Sequence, residues 1–163
     1  MKKAIPTLLL VEDNPDDVEL TRVALDDSKL LNKLVVLRDG QEALDWLWCK
    51  GQYKDRDPCL LPSLVLLDLK LPKVSGLEVL QRMRADSRTK HAPVVILTSS
   101  REEKDIIGSY DLGANSYIQK PVDYNQFVKA VRQLGVYWMV LNAPPPKESG
   151  AKTYVCVNTH SDD

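Results

Sequence analysis

Histidine is scarce in this chain of 163 residues, with His91 and His160 its only two. Neither stands at ligand spacing from a partner, so the pattern argues against a zinc centre. The three cysteines, Cys49, Cys59 and Cys156, are odd in number and form no C-x-x-C. They read as free thiols of a reducing compartment, acting as small apolar residues. No run of about 18 apolar residues occurs, and Met1-Lys2-Lys3-Ala4-Ile5-Pro6 holds no apolar signal region. The expectation is a soluble, cytoplasmic protein without a membrane partner. A net charge of -1 leaves neither a basic footprint for nucleic acid nor an acidic tail. G-x-G-x-x-G and P-loop motifs are also missing, which counts against a flavin or nucleotide binder. The length fits one domain that buries roughly 68–70% of its unfolded surface.

What the chain has in place of these is the stretch Leu64-Val65-Leu66-Leu67-Asp68-Leu69-Lys70-Leu71-Pro72. Its apolar run between prolines reads as a strand buried on both faces, as in a parallel sheet. An acid at the end of such a strand is costly unless a cation or hydrogen-bond donor meets it, so Asp68 calls for a partner. Thr7-Leu8-Leu9-Leu10-Val11 is a similar run and ends in Glu12-Asp13. Asn14-Pro15-Asp16-Asp17 then supplies an N-cap, a first-turn proline and two acids that compensate the helix dipole, opening a helix to about Asp27.

The same alternation continues. Leu34–Leu37 reads as a strand, Arg38-Asp39-Gly40 as a turn, and Gln41 to about Lys50 as a helix in which Trp46 and Trp48 pack. A polar segment, 51–58, forms a surface loop. Ser75 to about Ala85 is an amphipathic helix, with Arg82 and Arg84 outside its apolar side. Pro93–Leu97 is a strand ending in Thr98-Ser99-Ser100, Glu102–Leu112 a helix closed by Gly113, and Ser116–Ile118 a strand followed by Gln119-Lys120-Pro121. A last helix from about Asp123 carries an apolar stripe at Phe127, Val131, Leu134, Trp138 and Leu141. Val136, Tyr137, Met139 and Val140 make its end apolar on the far side as well, which suggests a second buried surface. The expected division is a folded domain over 1–142 and a proline-rich linker with an arm over 143–163, where 152–157 has strand composition and no neighbour to pair with.

Alternating strands and helices make an α/β domain around a parallel sheet, whose ligands sit at the carboxyl ends of the strands. The polar residues fall at those ends: Glu12 and Asp13, then Asp68, Thr98 and Lys120. Three carboxylates around one point need a divalent cation, and all-oxygen ligation favours magnesium over zinc. An ammonium and a hydroxyl beside them make a pocket for a dianion, best read as a phosphoryl group carried by Asp68 as nucleophile.

The stretches LLLVEDNPDD, LVLLDLKLPKVSG, VVILTSS and SYIQKP resemble the receiver domain of two-component response regulators over about residues 6–142, with separations of 55, 30 and 22 residues from Asp13 to Asp68, Thr98 and Lys120. The resemblance implies a flavodoxin-like (βα)5 sheet of order 2-1-3-4-5 and phosphorylation of Asp68 by a histidine kinase. It implies Mg2+ held by Asp13, Asp68 and the main-chain carbonyl of Lys70, with Glu12 acting through water. Lys120 would contact the phosphoryl group, the Lys120-Pro121 bond would be cis, and Tyr117 would turn inward as Thr98 moves. Such a chain is a signalling protein rather than an enzyme, with slow self-dephosphorylation at most, and its output is a downstream protein.

The insert before the central strand, LRDGQEALDWLW, SYDLGANSYIQKP and the long last helix are similar to the stand-alone regulators of bacterial phytochrome kinases. That narrower resemblance implies a homodimer through Val136, Tyr137 and Val140, with 152–157 adding as a strand to the partner. The alternative is a phosphatase forming an aspartyl-phosphate on a doubly wound fold. Its family resembles D-x-D at the first strand, whereas Leu69-Lys70 follows Asp68 here.

Overall fold

Unbroken apolar runs become the inner strands, because only a strand covered on both faces can bury every residue. The computed structural model describes residues 5–27, 32–120, 123–138 and 142–143. In chain order the elements are β1 (Thr7–Val11), α1 (Pro15–Asp27), β2 (Lys33–Leu37), α2 (Gly40–Leu47), β3 (Leu64–Leu67), α3 (Gly76–Ala85), β4 (Val94–Thr98), α4 (Glu103–Asp111), β5 (Ser116–Gln119) and α5 (Tyr124–Val136). A short 3-10 turn, Gly51–Tyr53, interrupts the loop before β3.

All pairings are parallel, and the sheet runs β2-β1-β3-β4-β5 as expected. Every residue of β3 and β4 is buried, while β2 and β5 at the edges are only half covered. Strand alternation divides the core in two. Leu9, Val11, Val65, Leu67, Val94 and Ile96 pack under α2 and α3. Leu8, Leu10, Leu64, Leu66, Val95 and Leu97 pack under α1 and α5.

Three local features depart from the sequence reading. Helix α2 ends at Leu47, because Cys49 adopts φ 55 and the chain cannot continue as a helix through it. Arg84 does not simply face solvent: its guanidinium donates to the carbonyls of Ala92 at 2.7 Å and Gly113 at 2.9 Å, tying α3 to both ends of the β4–α4 unit. Cys49 is a free thiol, but Cys59 is disulfide-bonded, so the expectation of free thiols fails there. Trp46 packs as expected, with the Arg56 guanidinium 3.6 Å over its ring. The Lys120-Pro121 bond, Val140 and the 152–157 strand lie outside the described residues.

One glycine fixes the backbone on which Asp68 sits. Gly76 opens α3 and donates its N–H to the Leu69 carbonyl at 2.9 Å. A Cβ there would lie 2.0 Å from the Asp68 main-chain oxygen. Gly76→Ala therefore has to push α3 away from the β3 end. The expected loss is roughly 1–3 kcal/mol, as for other overpacked sites, measured by urea denaturation against the unsubstituted chain.

Candidate functional site

Sheet register brings the strand ends together. Val11 pairs with Leu67 and Thr98 with Gln119, so Glu12 and Asp68 leave the sheet side by side and Lys120 leaves it beside Thr98. Backbone bonds carry each ladder one residue further. The Asp68 N–H donates to Val11 O at 3.1 Å, Glu12 N–H to Leu37 O at 2.9 Å and Lys120 N–H to Thr98 O at 2.6 Å. The functional side chains thus stand on paired backbone rather than on free loops.

Glu12, Asp68 and Lys120 are 2%, 8% and 7% exposed. The Lys120 ammonium donates to Glu12 Oε2 and to Asp17 Oδ2, each at 2.7 Å, and lies 3.7 Å from Asp68 Oδ2. Glu12 Oε1 accepts the Asn14 N–H at 3.1 Å, and Asp68 Oδ1 accepts the Lys70 N–H at 3.4 Å. Burial pushes the Glu12 carboxyl up to about 7, although the Lys120 ammonium and the Asn14 amide pull it back. Burial also opposes the Lys120 charge, but hydrogen bonds to Asp17 and Glu12 outweigh it and hold this ammonium above its ordinary pKa.

These groups open into a cavity of about 490 Å³ that Asp13, Lys70 and Ser99 also line. Carboxylate oxygens of Glu12, Asp13 and Asp68 lie within 4.8 Å of one another. Three hard oxygen donors at that spacing, one exposed and two buried, fit a small divalent cation reached from solvent.

Thr98 and Tyr117 stand one step back. Thr98 is wholly buried, its hydroxyl accepts the Ser100 N–H at 3.3 Å, and Ser99 rather than Thr98 lines the cavity. The Tyr117 hydroxyl donates to the Ser100 carbonyl at 3.0 Å, and its ring packs against the core under α2 and α3. Ser100 is therefore the contact shared by Thr98 and Tyr117. Its own hydroxyl donates to Asp105 in the first turn of α4 at 2.5 Å.

Asp17 is the site residue that the sequence reading left as a dipole-compensating acid. Asn14 caps α1 by accepting the N–H groups of Asp16 at 2.9 Å and Asp17 at 3.3 Å, which fixes the first turn. That turn aims Asp17 at the lysine. The available signal was an acid in the first turn of a helix that starts directly after Glu12-Asp13.

Comparison with known proteins agrees with this geometry. Residues 8–132 match the response regulator receiver domain. The response regulator Rcp1 of Synechocystis sp. is 38% identical over 132 residues, covering 81% of this chain and 88% of that protein. Its Mn(2+)-bound crystal structure has a TM-score of 0.79 with 36% identity, over 86% of this chain and 99% of that one. The phosphorylated cyanobacterial phytochrome response regulator RcpA has a TM-score of 0.80 with 38% identity, over 88% of this chain and 100% of that one. The bacteriophytochrome response regulator AtBRR is 55% identical with a TM-score of 0.69, over 86% of this chain and 100% of that one. Motif spacing, sheet order and acidic cluster coincide with a match over most of the chain, and the chain belongs to the response regulator receiver-domain family.

Proposed function

We propose that Asp68 accepts a phosphoryl group from a histidine kinase of the phytochrome type, and that the chain passes the signal on by changing a protein-binding surface. The observation that carries this reading is a carboxylate only 8% exposed that nevertheless faces a solvent-open cavity, with an ammonium 3.7 Å away. The phytochrome response regulators among its relatives support the choice of kinase. A phosphatase forming an aspartyl-phosphate would need a second acid two residues after its nucleophile, where this chain has Lys70.

In the transfer, an Asp68 carboxylate oxygen attacks phosphorus while the P–N bond to the donor imidazole breaks, leaving the electron pair on that nitrogen. Asp13, Asp68 and the main-chain carbonyl of Lys70 would hold Mg2+, with Glu12 acting through water. The Mn(2+)-bound Rcp1 supports a divalent cation there. Bound Mg2+ supplies positive charge to the phosphoryl oxygens. Lys120 supplies the protein's own positive charge, and the backbone pairing of Asp68 to Val11 keeps the attacking oxygen in place.

The acyl phosphate then attracts the Thr98 hydroxyl. Drawing it from the Ser100 N–H disturbs the residue that Tyr117 and Asp105 both hold, so α4 and β5 shift together. Ile107 and Tyr110 on α4, each about half exposed, belong to the surface that changes. We assign residues 1–142 to the receiver and 143–163 to the linker and arm, with the cytoplasm as the compartment. Among the described residues no helix is long and apolar enough to cross a membrane.

A homodimer completes the proposal. Tyr137 is 50% exposed at the end of α5, its ring 5.0 Å from that of Trp138, and Val136 is half-buried beside it. Both aromatics line a groove of about 320 Å³ with Ser116 and Ile118 of the edge strand β5. Val136, Tyr137 and Val140 would form the contact, with 152–157 adding as a strand to the partner. Light scattering is expected to give a dimer mass that falls on deletion of 144–163; a monomer unchanged by the deletion would refute this part. For the transfer itself, acetyl phosphate with Mg2+ is expected to add one labile phosphoryl by intact mass. Asp68→Asn should show none, and an equally labelled Asp68→Asn would move the acceptor elsewhere.

A further inference from the structure

Lys120 shares its charge unequally among the acids around it. Two of its three N–H donors are taken by Glu12 and Asp17 at 2.7 Å each, while Asp68 is a full ångström further off. Asp17 takes no part in the cation cluster, which among the described residues is Glu12, Asp13 and Asp68. Its main chain is held on both sides, because the Asn14 side chain accepts its N–H and the Thr21 hydroxyl donates to its carbonyl at 2.8 Å.

We propose that Asp17 is a positioning residue, a latch that holds the Lys120 ammonium back from Asp68 in the resting site and slows phosphoryl capture. The inference rests on the reading of Asp68 as acceptor and adds a control of its rate. A phosphoryl group on Asp68 is met by the third N–H, and drawing the ammonium the further ångström stretches the two short bonds until one of them yields. Burial decides which one. The Glu12 side chain is 2% exposed, so leaving it unpaired strands a buried carboxylate, whereas the Asp17 side chain is 26% exposed and can be rehydrated. The Asp17 bond breaks first, and its strength sets how readily Lys120 crosses to the new group. Among the acids near the lysine, Asp17 alone is both outside the cation cluster and directly bonded to the ammonium.

The test compares Asp17→Asn with Asp16→Asn, which removes the same charge from the same exposed helix turn without touching Lys120, and with Asp17→Glu. With acetyl phosphate at saturating Mg2+, Asp17→Asn is expected to label roughly twofold to fivefold faster than the unsubstituted chain, the upper part of the range for losing a partly exposed ion pair. Asp16→Asn should change the rate by less than about twofold, and Asp17→Glu should restore the slow rate. An Asp17→Asn rate no faster than that of Asp16→Asn would overturn the latch. A second readout needs no metal or phosphoryl donor. In the metal-free chain, Asp17→Asn should lower Tm more than Asp16→Asn, and the excess should vanish in a Lys120→Met background; equal losses, or an excess that persists, would also overturn it. If the unsubstituted chain takes no phosphoryl at all, the acceptor reading itself fails. If it labels normally and the two asparagine variants match, the latch alone fails.

Discussion

One buried ammonium makes this site possible. Glu12, Asp13, Asp17 and Asp68 converge on the carboxyl edge of a hydrophobic sheet, and Lys120 is the cation placed among them. Without it, two carboxylates only 2% and 8% exposed would stand side by side with no cation in contact, at a desolvation cost of several kcal/mol. With it, the site still carries more negative than positive charge. That imbalance suits a divalent cation, and under the proposed function the cation would offset the charge of an incoming phosphoryl group. The upward displacement of the Glu12 carboxyl to about 7 has a different cause, since it is burial that outweighs the lysine in direct contact, with the Asp68 charge adding less.

Hydrogen bonds at the strand ends are what would let this cluster act as the proposed switch. The Lys120 N–H is bound to Thr98 O, and the Thr98 hydroxyl is bound to the Ser100 N–H. Ser100 in turn accepts from Tyr117 and donates to Asp105 at the start of α4. A displacement of Thr98 has few places to go except into α4 and β5. Helix α4 suits that proposed role because its only buried residue is Ser109, so a shift of it would disrupt little of the core.

The fold, and which polar residues would converge at the candidate site, were legible in the sequence for a shared reason. Strands buried on both faces appear as continuous apolar runs, and a polar residue at the end of each is conspicuous against that background. Glu12, Asp68, Thr98 and Lys120 stood out in this way, and the sheet order followed from the family they resemble. What stayed hidden depended on side-chain reach rather than on pattern. Asp17 looks like any acid in a first helical turn, because its partner is 103 residues away in sequence. Arg84 looks like a surface arginine until α3 lies beside the Ala92 and Gly113 carbonyls. That Ser99 rather than Thr98 lines the cavity is a matter of which way adjacent hydroxyls point after β4, and composition carries no trace of it.

The account turns on where the Lys120 ammonium goes when a phosphoryl group arrives. A crystal structure of the chain with Mg2+ and beryllofluoride, a stable stand-in for the acyl phosphate, measures that directly. The account predicts beryllium on Asp68, with the Lys120 Nζ in hydrogen-bond contact with a fluoride and its bond to Asp17 lengthened or lost. Beryllofluoride on any other carboxylate, or a Lys120 still bound to Glu12 and Asp17 while Asp68 carries the group alone, would contradict it.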